Sequence, residues 1–264
     1  MAKRVIAFVG DFHVGNRYAI APAGYRTQED NAIHINEGQM TLLFHFDDFC
    51  EKCDELNVDT VFLMGDLVDG PNYKGYARHL VTSDLGDQIG MAVMLLRKLC
   101  KGRKVYGVEG SKYHVLPGGI SADQMVVQQL GGVWCGPILV GRFEPCRLTF
   151  LVQHGEGGAL LYRATEPDRE NLHLNAAHGA GKIEKIDVSV KGHRHYHLYL
   201  QENGQHQIRV PCWCAFIPNK VYLKNYGRMQ PDIGGVILEL EEDRLIHHAF
   251  LYDVPHIADK VRVL

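Results

Sequence analysis

Five apolar, strand-like runs in this chain are each followed by a short turn that carries histidine or aspartate together with glycine. The five turns are Gly10-Asp11-Phe12-His13, Gly65-Asp66-Leu67-Val68-Asp69, Gly110-Ser111-Lys112-Tyr113-His114, His154-Gly155 and Gly192-His193-Arg194-His195. In open α/β sheets, ligand sites form outside the carboxyl ends of the strands. The sequence therefore predicts that these side chains, far apart along the chain, meet in one crevice.

Strand-like and helix-like segments alternate over most of the chain, which indicates an α/β fold. The predicted strands are Val5–Val9, Thr60–Met64, Lys104–Val108, Ile138–Val140, Leu148–Val152 and Val188–Val190. The predicted helices are Gln39–Leu56, Asp84–Cys100, Ser121–Leu130 and Glu166–His178. We expect one domain over residues 1–264, with the motif-bearing part in about 1–200.

The last part of the chain, residues 198–264, is rich in strands. Asn203-Gly204 is a typical hairpin turn, and Val236–Leu240 and Leu245–Tyr252 form a second pair of predicted strands. We expect this part to complete a second sheet that packs on the first.

The residue types in the five turns suit a metal site. Imidazole nitrogens favour transition metals, and carboxylates favour harder cations. Asp11 and His13, like His193 and His195, are two positions apart, so in an extended segment both side chains lie on one face. Such pairs can bind one or two ions.

Taken in order, the turns resemble the signature of the calcineurin-like metallophosphoesterase superfamily, and in particular its phage-encoded and DNA-repair-exonuclease members. That signature is D-x-H, G-D-x-x-D, G-N-H-D/E, a lone His after a strand, and G-H-x-H. Four of the five blocks match, between Asp11 and His195. The resemblance implies a four-layer αββα sandwich of two mixed sheets flanked by helices. It also implies hydrolysis of phosphate esters with two divalent metals, with Mn²⁺ expected and Fe, Zn or Ni as alternatives.

The resemblance implies a role for each matched residue. The ligands of the first metal would be Asp11, His13 and His195, and those of the second would be His154 and His193. Asp66 would bridge both metals. Asp69 would orient a catalytic histidine through a hydrogen bond.

The third block departs from the family pattern. Ser111 stands where the family has a metal-binding asparagine, and His114 follows three positions later rather than one. We expect Ser111 to ligate the second metal directly or through water. We expect His114 to protonate the leaving group as the general acid. A weakened second metal site is the alternative outcome of the same departure.

Phosphate-binding cations are expected near the motifs, and Arg194, Lys112 and Arg17 lie closest in sequence. Aromatic and basic residues also alternate in two loops, which favours a nucleic-acid substrate. These residues are Arg17, Tyr18, Tyr25 and Arg26 in the first loop, and Asn72, Tyr73, Lys74, Tyr76 and Arg78 in the second. Ordinary solvated loops explain them nearly as well.

Three functions remain open from the sequence. The first is a phosphodiesterase that acts on DNA or RNA, and the second is a small-molecule phosphodiesterase or phosphatase, for instance for cyclic nucleotides. The third is a non-catalytic scaffold with an impaired second metal site. Gly70 and Val115 occupy positions where protein serine/threonine phosphatases usually have arginine, which disfavours that class. The sequence leaves the oligomeric state open, and a homo-oligomer is one of the alternatives.

The composition and the N-terminal residues indicate the cellular compartment that we expect for this protein. The chain has 264 residues, a formal net charge of -3 and seven cysteines. An odd number of cysteines argues against a disulfide framework. The N-terminal residues lack the longer apolar core and the cleavage site of a signal peptide, so we expect a cytoplasmic protein.

Three further motifs have simpler interpretations. Cys50-x-x-Cys53 lies on the apolar face of a predicted helix, which favours buried thiols over a zinc or redox pair. Cys212-Trp213-Cys214 is typical of a buried strand, although Trp213 could contact substrate. Gly179-Ala-Gly-Lys182 lacks the spacing of a P-loop and is interpreted as a helix C-cap.

Overall fold

The computed structural model describes residues 3–71, 77–112, 121–157, 162–215, 230–242 and 244–253. Its strands are β1 Arg4–Val9, β2 Thr60–Leu63, β3 Lys104–Gly107, β4 Val133–Trp134, β5 Ile138–Arg142, β6 Thr149–Gln153, β7 Val188–Lys191, β8 Leu198–Glu202, β9 Gln205–Arg209, β10 Ile233–Glu241 and β11 Arg244–Tyr252. Its helices are α1 Glu37–Glu55, α2 Leu85–Cys100, α3 Ala122–Gln129 and α4 Thr165–Gly179. All four predicted helices are confirmed, and β4 is a short strand that the sequence pattern did not indicate.

The strands form two mixed sheets. The first has the order β11-β10-β1-β2-β3-β4, with β1 to β4 parallel and β10 and β11 antiparallel. The second has the order β5-β6-β7-β9-β8, with β6, β7 and β9 parallel between two antiparallel edge strands. The carboxyl ends of β1, β2 and β3 therefore share one edge, and those of β6 and β7 share another.

The expectation that the whole C-terminal part completes the second sheet is wrong. Of the described strands in this part, β8 and β9 join that sheet, whereas β10 pairs with β1 in the first sheet, with Phe8 opposite Val236. The reason is burial on both faces of β10. Val236 and Leu238 pack between the two sheets, while Ile237 packs against the helices on the other side. A strand that is apolar on both faces belongs where both faces are covered.

Two apolar cores and one polar contact layer hold the sheets and helices together. Residues such as Phe8, Phe150 and Ile208 fill the space between the sheets. Helices α1, α2 and α3 cover the outer face of the first sheet. Helix α4 covers part of the second sheet through polar contacts, for example from Gln207 Nε2 to Asn171 Oδ1 at 2.6 Å. The four-layer αββα sandwich is confirmed.

Polar side chains cap the starts of α1, α2 and α3, whereas α4 begins after Ala164 without a side-chain cap. Asn36 and Gln39 form a reciprocal capping box at α1, and the Asp84 side chain accepts the backbone N–H of Asp87 at α2. The hydroxyl of Ser121 caps α3 in the same way. The predicted hairpin at Asn203-Gly204 is confirmed, with φ angles of 50° and 76°.

A column of stacked rings joins the edges of the two sheets. Tyr199 of β8 stacks on His247 of β11, with ring centroids 4.5 Å apart, and His197 stacks on the same imidazole at 5.0 Å. His206 lies beyond Tyr199 and its Nδ1 is 2.8 Å from the tyrosine hydroxyl. Burial, followed by His197, His248 and His206, lowers the pKa of His247 to about 4.

This column should make stability depend on pH. The folded pKa of His247 lies below the value of about 6.5 for an unfolded chain, so the unfolded protein binds more protons between about pH 6.5 and 4. Stability from this group is present above pH 6.5 and is lost as the pH falls. His247→Phe keeps a stacking ring without the titration. We expect the melting temperature of wild type to fall more between pH 7 and 5 than that of the variant. Equal decreases would contradict the assignment.

Candidate dinuclear metal centre

The candidate site lies where the turns after β1, β2, β6 and β7 meet. Backbone hydrogen bonds from Asp11 N to Gly65 O at 3.0 Å and from His13 N to Asp66 O at 2.9 Å hold the first two turns side by side. The backbone N–H of His193 donates to Oδ2 of Asp11 at 2.8 Å and links the two sheets. Residues that are far apart along the chain therefore converge, as the sequence predicts.

Left-handed backbone is concentrated in these turns. The φ angles are 51° for Asp11, 44° for His13, 49° for Asp66, 71° for His193 and 54° for His195. Such angles are uncommon outside glycine and cost free energy that the surrounding structure must offset. Because five predicted ligands share this conformation, the fold supplies that free energy to aim their side chains into the crevice.

One triad consists of Asp11, His13 and His195. Nε2 of His13 lies 3.1 Å from Nε2 of His195, and Oδ1 of Asp11 lies 3.3 Å from the latter nitrogen. Asp11 is fully buried, whereas His195 is partly exposed. An ion bound here would be reached from solvent on the His195 side.

The second triad consists of Asp66, His154 and His193. Nε2 of His154 lies 3.1 Å from Oδ2 of Asp66 and 3.1 Å from Nδ1 of His193. The other nitrogen of each imidazole faces a carbonyl oxygen: His154 Nδ1 is 2.7 Å from Met64 O, and His193 Nε2 is 3.0 Å from Gly157 O. Since a carbonyl only accepts, these nitrogens carry the protons and the inward nitrogens keep lone pairs for a metal.

The two triads form one site. Oδ1 of Asp11 lies 3.8 Å from Nε2 of His154, which belongs to the second triad. Asp66 and Asp11 are both nearly inaccessible to solvent. Two buried carboxylates and four imidazoles thus surround a common volume.

The donor atoms fit divalent metals. Oδ1 of Asp11 is buried and accepts no hydrogen bond among the described residues. Such an orphan costs free energy unless a cation binds it. The nitrogen pairs His13–His195 and His154–His193 are both separated by 3.1 Å. Two imidazole nitrogens on one zinc-like ion, each at about 2.0–2.1 Å, lie roughly 3.0–3.4 Å apart.

Charge in the site also favours a cation. Burial raises the pKa of Asp11, but His154 and His195 outweigh burial and hold that pKa below its usual value. Burial lowers the pKa of His154, whereas Asp66 and Asp11 raise it, with a net rise to about 10. Burial and the neighbouring His154 lower the pKa of His193. Without metal, the buried carboxylates therefore attract a proton to the place where a cation would bind.

The third block lies beside Asp66. The backbone N–H of Ser111 donates to Asp66 Oδ1 at 2.6 Å, and its hydroxyl donates to Oδ2 at 3.1 Å. A Cβ on Gly110 would come within 2.2 Å of Asp66 Oδ1, so only glycine fits this approach. Ser111 thus holds Asp66, while its role as a metal ligand stays a prediction. His114 lies outside the described residues.

Asp69 contacts a metal-ligand candidate. Its Oδ1 lies 3.5 Å from Nδ1 of His13, whose Nε2 faces Asp11 and His195. This places Asp69 where it can orient His13. The predicted contact of Asp69 with a catalytic histidine at position 114 concerns a residue outside the described part of the chain.

A residue of the site that sequence reasoning missed is Asp123, in the first turn of α3. Its carboxylate accepts three backbone N–H groups, from Asp66 at 3.1 Å, Leu67 at 2.8 Å and Gly110 at 2.9 Å. Burial and Asp66 raise its pKa to about 6. In the sequence, Asp123 looks like an ordinary first-turn acid of a helix, and only the fold brings it to the turns after β2 and β3.

The predicted phosphate-binding cations are dispersed. The guanidinium of Arg194 donates to Gly157 O at 2.8 Å and to Glu156 O at 3.1 Å, so it lies against the loop after β6. Lys112 and Arg17 are exposed. Arg194 is linked to the second triad through the carbonyl of Gly157, which it shares with His193.

The simpler interpretations of the other motifs hold. Cys50 and Cys53 are buried on α1, and burial raises the pKa of Cys50 to about 12. Trp213 is fully buried and stacks on Phe12, so the suggestion that it contacts substrate is wrong. Its backbone N–H instead donates to Asp11 O at 3.1 Å. Helix α4 ends with a C-cap turn, in which Lys182 N donates to Ala177 O at 2.9 Å.

The fold of this chain is similar to those of several solved structures. No family model and no curated protein matches the sequence. An archaeal phosphodiesterase has a TM-score of 0.49 and 12% identity, and the match covers 93% of this chain and 99% of that one. Vps29 from Entamoeba histolytica, complexed with zinc, has a TM-score of 0.45 and 14% identity, with 94% and 92% coverage. The E. coli phosphoesterase YfcE has a TM-score of 0.44 and 15% identity, with 93% and 98% coverage.

In the part of the chain that the structure describes, no helix is long and apolar enough to span a membrane.

Proposed function

We propose that this protein is a dinuclear-metal-dependent phosphoesterase that hydrolyses phosphodiester bonds, with DNA or RNA as the substrate. The observation that carries the proposal is the pair of Asp/His triads around the orphaned Oδ1 of Asp11. Mn²⁺ is the proposed metal, because carboxylate ligands suit it. Imidazole ligands suit iron, zinc and nickel, which are the alternatives.

The residues divide the work as follows. Asp11, His13 and His195 would hold one ion, and Asp66, His154 and His193 the other. When bound, two divalent metals supply Lewis acidity for the phosphate and activation of a water nucleophile. The carbonyl groups of Met64 and Gly157 fix the tautomers of His154 and His193, and Asp69 faces Nδ1 of His13.

Proton delivery to the departing oxygen is assigned to His114, as the motif order implies. A neutral leaving group departs more easily than an alkoxide, so a positioned acid contributes about 10²–10⁴-fold. Support for a nucleic-acid substrate comes from the exposed Arg17 and its sequence neighbour Tyr18, whose ring lies 5.3 Å from that of His79. Basic residues beside aromatic rings suit phosphate contact together with base stacking. Cleavage of cyclic nucleotides is the alternative substrate class.

A Mn²⁺ assay with bis(p-nitrophenyl) phosphate tests the activity. We expect turnover by wild type and a loss of about 100-fold or more in His154→Gln, because a ligand of the second triad is lost and metal catalysis supplies several kcal/mol. His34→Gln, which changes an exposed histidine far from the motifs in sequence, should match wild type. If wild type turns over no ester with any divalent metal, the protein is a non-catalytic scaffold.

Side-by-side substrates separate the remaining alternatives. Under the proposal, single-stranded DNA or RNA is cleaved in Mn²⁺ and cyclic nucleotides are not. The reverse result would assign a small-molecule phosphodiesterase. We also propose a cytoplasmic location, which is supported by seven free cysteines, most of them buried.

A further inference from the structure

A cavity of about 620 Å³ opens between α4 and the turn after β6, next to the candidate metal centre. Gly157 lies at its rim, and the carbonyl oxygen of Gly157 is 3.0 Å from Nε2 of His193. The cavity therefore adjoins the second triad. Its volume is within the range of about 300–1,000 Å³ that is usual for ligand sites.

The wall of the cavity is cationic. Arg169, Lys191 and Arg194 line it. Its two carboxylates, Glu166 and Glu170, are already paired, since both accept from the fully buried guanidinium of Arg209, at 2.7 and 2.8 Å. Lys191 Nζ lies 2.8 Å from Glu170 as well. Arg209 and Lys191 thus offset the charges of both carboxylates, so the charge of Arg169 has no carboxylate partner among the described residues that line the cavity.

Arg169 is the cation best placed to meet a ligand. Its side chain is exposed on α4 and makes no ion pair or hydrogen bond with any other residue that the structure describes. Arg194 lines the same cavity and donates to the carbonyls of Glu156 and Gly157. Two arginines that line one cavity suit a phosphate, whose oxygens accept paired hydrogen bonds.

The rest of the cavity has an apolar part. Leu174 and Ala177, three residues apart on α4, line the same space. Residues three apart on a helix share a face. Apolar surface beside a phosphate-binding wall fits a nucleotide unit, which has both a sugar or base and a phosphate.

We infer that this cavity binds the nucleotide unit next to the scissile phosphodiester, so that the substrate is a single-stranded oligonucleotide. The inference rests on the proposed function, whose metal centre it extends. A single strand can turn one nucleotide into the cavity, whereas a duplex would first have to unpair it. Arg169 and Arg194 bind the neighbouring phosphate.

Fluorescence anisotropy with a labelled phosphorothioate oligothymidylate in Mn²⁺ tests the inference. We expect Arg169→Ala to weaken binding about fivefold at 0.1 M salt and to reduce the slope of log K against log [salt] by about 0.7, the value for one phosphate contact on a single strand. Arg169→Glu should weaken binding further, whereas Arg169→Lys keeps the charge and the salt slope but loses the paired hydrogen bonds, so its affinity should lie between those of wild type and Arg169→Ala. The matched control is Arg97→Ala, which removes an exposed arginine on α2, in the helix layer of the other sheet.

Equal affinities and equal salt slopes for Arg169→Ala and Arg97→Ala would overturn the inference. A second contrary result would be a cyclic nucleotide that displaces the oligonucleotide and whose own binding weakens equally in Arg169→Ala. The natural ligand of the cavity would then be a small molecule. Wild-type turnover of bis(p-nitrophenyl) phosphate is measured separately. Turnover without Arg169-dependent binding would contradict the binding role of the cavity and support the metal-dependent activity. Arg169-dependent binding without turnover would support the binding role and contradict the activity.

Discussion

Asp11→Asn is expected to remove at least one of two bound Mn²⁺ ions per chain and to lower phosphodiesterase activity about a thousandfold. Oδ2 of Asp11 accepts the backbone N–H of His193 at 2.8 Å, while Oδ1 faces the triads without a hydrogen bond among the described residues. An asparagine that keeps the bond to His193 must direct its NH₂ group at the metal position. If it turns the other way, two N–H groups face each other at His193.

The magnitude follows from the metal. A bound ion contributes several kcal/mol of transition-state stabilisation, and about 4 kcal/mol corresponds to a thousandfold in rate. Metal content after dialysis, measured by plasma mass spectrometry, checks the binding without reference to activity. A second readout is the melting temperature, which Mn²⁺ should raise in wild type and raise less in the variant, since a ligand that binds only the folded state stabilises it.

Asp87→Asn is the matched control. Asp87 is also a buried carboxylate, and its Oδ1 accepts from Tyr25 Oη at 3.3 Å and from Gln28 N at 3.0 Å, away from the triads. This variant should bind metal like wild type. If Asp11→Asn retained two Mn²⁺ ions per chain, Asp11 would not be a ligand.

The metal-ligand candidates could be found from sequence because each follows a strand, and strand ends are easy to locate. The apolar run Val5–Val9 stops at Gly10, Val188–Val190 ends one residue before Gly192, and a metal-ligand candidate follows each of these glycines. Parallel pairing then fixes which ends meet. The tautomers of His154 and His193 could not be predicted in this way, because they depend on carbonyls of Met64 and Gly157 that the fold brings close.

The placement of β10 shows another limit. A hairpin pattern gives the pairing of β10 with β11, which is local, but not the sheet that the pair joins. That choice depends on which sheet has both faces covered. The contacts of Ile237 with the helix-side core and of Leu238 with the inter-sheet core decide it, and neither can be obtained from periodicity along β10 alone.

Asp123 is a positioning residue whose loss should damage both stability and the metal centre. Asp123→Ala leaves the backbone N–H groups of Asp66, Leu67 and Gly110 without their acceptor. Each buried unsatisfied group costs about 1–3 kcal/mol, so we expect at least about 3 kcal/mol less free energy of unfolding. Urea unfolding with metal removed by EDTA measures this loss.

The metal centre should weaken in the same variant, because all three released N–H groups belong to the turns that place Asp66 and Ser111. Residues that orient a ligand typically contribute 10–100-fold to metal affinity, and we expect a loss of this size at the second triad. Asp168→Ala removes an exposed first-turn acid of α4 and should cost only about 0.3–1 kcal/mol, the usual helix-dipole contribution. Asp123→Asn retains one acceptor oxygen and should fall between the two. If Asp123→Ala lost stability but bound Mn²⁺ like wild type, Asp123 would stabilise the fold without positioning the site.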